Sequence, residues 1–311
     1  MSMSLLLATA LASAAPTERP IRAFGPLAPL AGTLTDAGKG APVVLIIPGS
    51  GPTDRDGNNP LGVKAAPYRL LAAALGERGV SSVRIDKRGL FGSKNAVADA
   101  NKVTVADYVA DTRSWIASIR RATGAKCVWL LGHSEGGLVA LTAAQRPQDA
   151  CGVIAVAAVG RRLADVLRQQ LRDNPANAPL LAPALATIDS LEKGKRVDSS
   201  TLPAPLQPMF NDAVQPFLID LFSQDPAGLA AALKVPLLIA QGDKDIQVTV
   251  EDAETLAAAQ PRAKLAILPG VNHVLKIPQG EDRVANLAAY ANPDLPVAPS
   301  LVEAVVGFVK P

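Results

Sequence analysis

Histidine is almost missing from this chain, with two among 311 residues, and cysteine is equally scarce, with two. So few of either, and no close cysteine pair, argue against a metal centre of the zinc type. Basic runs are also missing. The formal charge is only +3, and doublets such as Arg120-Arg121 and Arg161-Arg162 read as solvated helix or loop ends, so nucleic acid is not an expected partner. No apolar stretch approaches the ~18–20 residues that span a bilayer.

With 49% hydrophobic and 19% charged residues, the chain can bury a full core as one large α/β domain or two small ones. At the N-terminus, Leu5 to Leu11 forms a short apolar stretch followed by Ala12-Ser13-Ala14, a small-x-small cleavage pattern. Residues 1–15 therefore read as a secretory signal, with a periplasmic or secreted product. The missing Lys or Arg before the stretch keeps a frayed cytosolic N-terminus as the alternative. Cys127 and Cys151 each begin an apolar run. If these runs are neighbouring parallel strands, the two residues lie about 5 Å apart, within reach of a disulfide. Two buried free thiols are the alternative, and export favours the bridge.

Apolar runs and helical periodicity alternate along the chain. Leu30 to Thr35 reads as an edge strand and Pro42 to Ile47 as a strand buried on both faces. A helix is expected from Pro67 to Arg78, stopped by Gly79, then a strand from Val80 to Ile85. Thr104 and Asp107 form a capping box for a helix ending near Gly124. Strands are expected over Val128–Leu131, Val153–Val159, Val235–Ala240 and Lys264–Leu268, with helices over Val250–Ala259 and Leu301–Val309. This pattern specifies a doubly wound, mostly parallel sheet covered by helices on both faces. The core divides as 28–160 and 235–311. Residues 161–234 read as short amphipathic helices holding three of the six phenylalanines, Phe210, Phe217 and Phe222. An insertion there reads as a lid over the site, a purely structural helical subdomain being the alternative. Phe210, Phe217 and Leu218 suggest an apolar acyl pocket.

The chemistry centres on Gly132-His133-Ser134-Glu135-Gly136, between an apolar run and a helix-forming stretch. Glycines two residues either side of a serine allow a sharp strand-to-helix turn that lifts its hydroxyl above the sheet. Serine needs a base, usually a histidine oriented by a carboxylate. His133 belongs to the turn and points away from the hydroxyl, which leaves His273, just after the last expected strand. The acid should lie between Ser134 and His273, and Gln241-Gly242-Asp243-Lys244-Asp245 offers two aspartates. Competing sites fail on inspection. Asp54-x-Asp56-x-Asn58 begins like a calcium loop but has Asn59 for the turn glycine and Ala65 for the bidentate glutamate. Gly49-x-Gly51 lacks the third glycine of a dinucleotide turn. No cofactor is expected.

These segments, with Asp86-Lys87-Arg88-Gly89 and Asn272-His273-Val274-Leu275-Lys276, resemble the α/β-hydrolase superfamily over about residues 28–310. Within it the chain is similar to small, lid-bearing bacterial carboxylesterases. The resemblance implies that the later aspartate, Asp245, is the acid, leaving Asp243 as an exposed turn residue. It places one half of an oxyanion hole after the first buried strand, which assigns the backbone N–H groups of Ser50 and Glu135 to that role. Many relatives have histidine where Pro48 stands, so no histidine side chain is carried over there. The implied activity is hydrolysis of small-molecule carboxylic esters by Ser134, Asp245 and His273 through an acyl-enzyme. A serine peptidase or acyltransferase on the same fold is the alternative, as is a binding protein that lost catalysis.

Overall fold

The computed structural model describes residues 15–146 and 149–310; the expected secretory signal falls almost entirely outside them. In chain order the elements are β1 (Thr17–Ala23), β2 (Leu30–Asp36), β3 (Val43–Ile47), α1 (Pro67–Glu77), β4 (Ser81–Ile85), α2 (Val105–Thr123), β5 (Val128–His133) and α3 (Glu135–Ala143). There follow β6 (Ala150–Val156), α4 (Leu163–Asp173), α5 (Leu181–Glu192), α6 (Gln215–Phe222), α7 (Pro226–Ala231), β7 (Leu237–Gly242), α8 (Val250–Ala259), β8 (Lys264–Leu268), α9 (Arg283–Ala288) and α10 (Pro299–Val309), with short 3-10 turns between some of them. The strands form one eight-stranded sheet in the order β1-β2-β4-β3-β5-β6-β7-β8. β1 and β2 join antiparallel, and the pairs from β4 through β8 are parallel. This is the α/β-hydrolase architecture.

Successive residues of a strand face opposite sides, and in β3 both sides are apolar. Val43, Leu45 and Ile47 pack with α2 and α3, while Val44 and Ile46 pack with α1 and α10. Each buried side chain of this kind stabilises the fold by about 1.5–3 kcal/mol relative to exposure. The result is a rigid sheet whose C-terminal strand ends present loops, the place where open α/β sheets bind ligands. No helix among the described residues is long and apolar enough to cross a membrane.

Several boundaries depart from the sequence reading. Leu30–Asp36 is not the edge strand, because β1 pairs along its full length outside it. Residues Thr17 to Pro20 are exposed and only Ile21 and Ala23 alternate inward, so β1 carries too short an apolar pattern to read as a strand. β6 begins earlier than expected and ends at Val156, where Ala157 takes a left-handed φ of 47°. β7 starts two residues late at Leu237, and α10 starts at Pro299. Cys127 and Cys151 form a disulfide with their Cα atoms 5.2 Å apart. Arg161 is not simply solvated: its guanidinium bonds both carboxylate oxygens of Asp252, at 3.0 and 2.8 Å. Burial alone would raise the Asp252 pKa, but the Arg161 bonds and the amides of Arg161 and Gly160 hold it below the usual value.

Candidate active site

The turn after β5 places Ser134 at φ 55° and ψ −122°, a conformation L residues avoid at about 1–3 kcal/mol. Its glycines explain how the turn closes. A methyl group at Gly132 would strike the backbone of Gly136 and Gly137, and one at Gly136 would strike the Ile47 and Pro48 carbonyls. The Ser134 amide donates to Val156 O at 3.0 Å, and Gly137 N–H donates to Ser134 O at 2.9 Å. The strain is held by α3, in which every residue except Thr142 is buried. Ser134 thus lines two cavities: one of about 100 Å³ shared with His133 and His273, and one of about 590 Å³ running under α4 and α6.

His273 follows β8, and its Nδ1 lies 2.8 Å from Asp245 Oδ2. Asp245 is held from all sides. Its Oδ1 accepts the Gln247 and Val248 amides at 2.7 and 3.0 Å, and Oδ2 also accepts from Gln241 Nε2 at 3.3 Å. The carboxylate can only accept, so Nδ1 carries the ring proton and donates it in this hydrogen bond, which leaves Nε2 as the free ring nitrogen. Asp243 is exposed and accepts from Gly270 N–H at 2.7 Å, so it braces the turn that carries His273.

His133, the other histidine, contributes through its ring rather than its position alone. Its Nε2 lies 2.9 Å from the His273 carbonyl, which can only accept, so Nε2 carries the proton. Nδ1 then accepts from the Tyr68 hydroxyl at 2.8 Å, and the Tyr68 oxygen accepts Gly49 N–H at 3.1 Å. One chain of bonds thereby joins the loop after β3 to the loop that bears His273. Burial, reinforced by His273, pushes the His133 pKa from 6.5 down to about 3. Burial likewise raises the Tyr68 hydroxyl well above its ordinary value.

Between pH 6.5 and about 3 the unfolded chain protonates His133 and the native chain does not, so stability falls as pH drops through that window. A His133→Gln variant keeps one acceptor and one donor but does not titrate. Its melting temperature should decline less steeply than the wild type's between pH 6.5 and 4, as read by differential scanning fluorimetry; parallel declines would refute a neutral buried His133.

The segment Ser50 to Asn58 is stiffened by its own side chains. Thr53 Oγ1 donates to Ser50 O at 2.8 Å, and Asp54 Oδ1 accepts the Asp56 and Asn58 amides at 2.9 and 2.8 Å. Arg55 pairs with buried Asp86, and fully buried Arg84 pairs with Asp56 and Glu18. Ser50 lines both cavities, and Glu135 begins α3, where helix amides and the dipole favour negative charge.

The larger cavity is mostly apolar. Phe217 and Leu218 line it, as do Val159, Leu163, Leu167 and Leu221. Phe210 does not reach it: the side chain is fully buried in the hydrophobic core, where its own carbonyl accepts from Gln215 Nε2 at 2.7 Å. The helical insertion is tied to α2 and to the loop between β7 and α8 by polar contacts that nothing in the local sequence marks. Asp220 accepts the Val105 amide at the start of α2 at 2.7 Å, and Gln170 Nε2 donates to Gln247 O at 2.8 Å.

A doubly wound sheet presenting a serine on a strained strand-to-helix elbow, with a histidine–aspartate pair from the later loops, defines a class of hydrolase folds. The family model described as "Alpha/beta hydrolase family" matches residues 43–289, and the chain belongs to that family. A protein of Thermotoga maritima named Esterase EstD is 28% identical over 251 residues, covering 77% of this chain and 56% of that protein. The chain thus spans just over half the length of this relative. Among solved structures, a thermophilic esterase from Thermogutta terrifontis is similar with a TM-score of 0.56 at 17% identity, covering 94% of this chain and 98% of that one. A bromoperoxidase from Bacillus anthracis reaches 0.54 at 19% identity, covering 94% and 100%. Both likenesses are of fold, and function must be argued from the site.

Proposed function

We propose that this chain hydrolyses carboxylic esters through an acyl-enzyme. Ser134 Oγ attacks the ester carbonyl while its proton passes to His273 Nε2, and Asp245 holds the imidazole in the tautomer that can accept it. The N–H groups of Ser50 and Glu135 receive the oxyanion. Collapse breaks the bond to the alcohol oxygen, which takes the proton from His273 and leaves. Water, deprotonated by the same nitrogen, then attacks the acyl-serine and frees the acid.

The observation that carries this reading is that Ser134 and an Asp245-bonded His273 line one small cavity. The name of the Thermotoga maritima relative supports ester over amide. Because His273 must protonate the departing oxygen, the alcohol belongs on its side, in the cavity of about 100 Å³. The acyl chain then belongs in the apolar cavity of about 590 Å³, beneath α4 and α6 acting as a lid. The Cys127–Cys151 disulfide supports an oxidising compartment, in keeping with export.

A series of p-nitrophenyl esters beside p-nitroanilides tests the proposal. Each methylene entering the apolar cavity is worth about 0.8 kcal/mol, or roughly fourfold in rate. We expect kcat/KM to rise at least about tenfold from acetate to hexanoate, with anilides far slower. Equal rates from acetate to decanoate would remove the cavity as the acyl site, and faster anilide cleavage would make the chain an amidase.

A further inference from the structure

Lys87 follows β4, in the Asp86-Lys87-Arg88-Gly89 segment, and its side chain is only 5% exposed. A buried ammonium is costly unless partnered, and its partners here are informative. Its Nζ donates to the Gly49 carbonyl at 2.7 Å and lies 3.5 Å from Glu135 Oε1. The Glu135 carboxylate is 3% exposed, and neither of its oxygens accepts a hydrogen bond among the described residues. The Lys87–Glu135 contact is therefore an ion pair without a hydrogen bond.

The Gly49 carbonyl and the Ser50 N–H belong to one planar peptide unit and point in opposite directions. Whatever fixes the carbonyl fixes the direction of the N–H. A cationic donor on the carbonyl also polarises the amide and strengthens its N–H as a donor, most of all away from water. The same ammonium neutralises Glu135, whose amide is the other proposed donor; an uncompensated carboxylate there would oppose an oxyanion forming beside it. One buried cation thus touches both halves of the hole.

We propose that Lys87 is the positioning residue of the oxyanion hole: its ammonium aims and polarises the Gly49–Ser50 peptide and cancels the charge of Glu135. This rests on the assignment of the Ser50 and Glu135 amides made above.

The test uses the full chain with two variants, Lys87→Met and the double variant Lys87→Met with Glu135→Gln. The double variant removes both charges, leaves no carboxylate stranded, and carries the test if the single variant does not fold. Removing an oxyanion donor outright costs about 10²–10³-fold, so losing its orientation should lower kcat on p-nitrophenyl butyrate by about 10- to 100-fold in both variants. KM should stay within about threefold, and a trifluoromethyl ketone, which forms a tetrahedral oxyanion on serine, should bind more weakly by the same factor as the loss in kcat/KM. A double variant with kcat within about threefold of wild type overturns the proposal, because the pair then served only folding. So does an unchanged inhibition constant for the ketone. Failure of a fluorophosphonate to label Ser134 in the wild type instead refutes the nucleophile on which the inference rests.

Discussion

Replacing Ser134 with alanine is expected to lower kcat on esters by about 10⁴- to 10⁶-fold, which is about 5–8 kcal/mol of transition-state stabilisation. The expectation follows from what the side chain does and does not touch. The turn is held through its backbone, by the bonds to Val156 O and from Gly137 N–H, and by the glycines packed around it. The Ser134 hydroxyl makes no hydrogen bond among the described residues that the fold would lose. Alanine keeps the Cβ and with it the same backbone strain at φ 55°. The variant should therefore melt within a few degrees of wild type while losing its nucleophile. Residual turnover would come from the amides of Ser50 and Glu135 acting on bound substrate with water as attacker. The measurement is kcat of purified protein with the melting curve run alongside; activity within tenfold of wild type would remove Ser134 from the mechanism.

Features encoded by a few consecutive residues are legible in this sequence, and those made by distant contacts are not. Helix α2 is announced by Thr104 and Asp107, whose reciprocal bonds at 3.0 and 3.2 Å form the capping box, and by Gly124, which ends it at φ 74°. The elbow is legible for the same reason, since its glycine spacing is the geometric requirement itself. β1 is not legible, because its first four residues are exposed and only Ile21 and Ala23 enter the core, so its pairing with β2 is made by residues that carry no strand pattern. Tyr68 and Lys87 reach Gly49 from 19 and 38 residues away, so although Lys87 stands in the Asp86-Lys87-Arg88-Gly89 segment, nothing local marks either contact with Gly49. The fate of Phe210 was equally hidden: an aromatic residue at helical spacing reads the same whether it faces a cavity or a core. Asp243 and Asp245 are two residues apart in one turn, and resemblance alone separated them in the sequence. In the structure one faces Gly270 N–H and the other the His273 imidazole.

That arrangement makes Asp245→Asn the second change of large effect, with kcat expected to fall by about 10⁴-fold, the loss that a wrong histidine tautomer causes in a serine protease triad. The amide has two orientations, and the surroundings select one. The position of Oδ1 is faced by the Gln247 and Val248 N–H groups at 2.7 and 3.0 Å. An NH2 group there would set three donors against one another, so the carbonyl oxygen must take that place. The NH2 group then faces His273 Nδ1 across the 2.8 Å contact, and it can only donate. Nδ1 becomes an acceptor, the ring proton moves to Nε2, and the nitrogen proposed as the base for Ser134 can no longer take a proton. Fluorophosphonate labelling of Ser134 should slow in parallel with kcat, while KM for the ester should change little, because Asp245 does not line the larger apolar cavity. Asp243→Asn is the matched control. It keeps an acceptor for Gly270 N–H and should leave kcat within about threefold. Comparable losses in the two variants would mean that the aspartates act through the loop rather than through the imidazole.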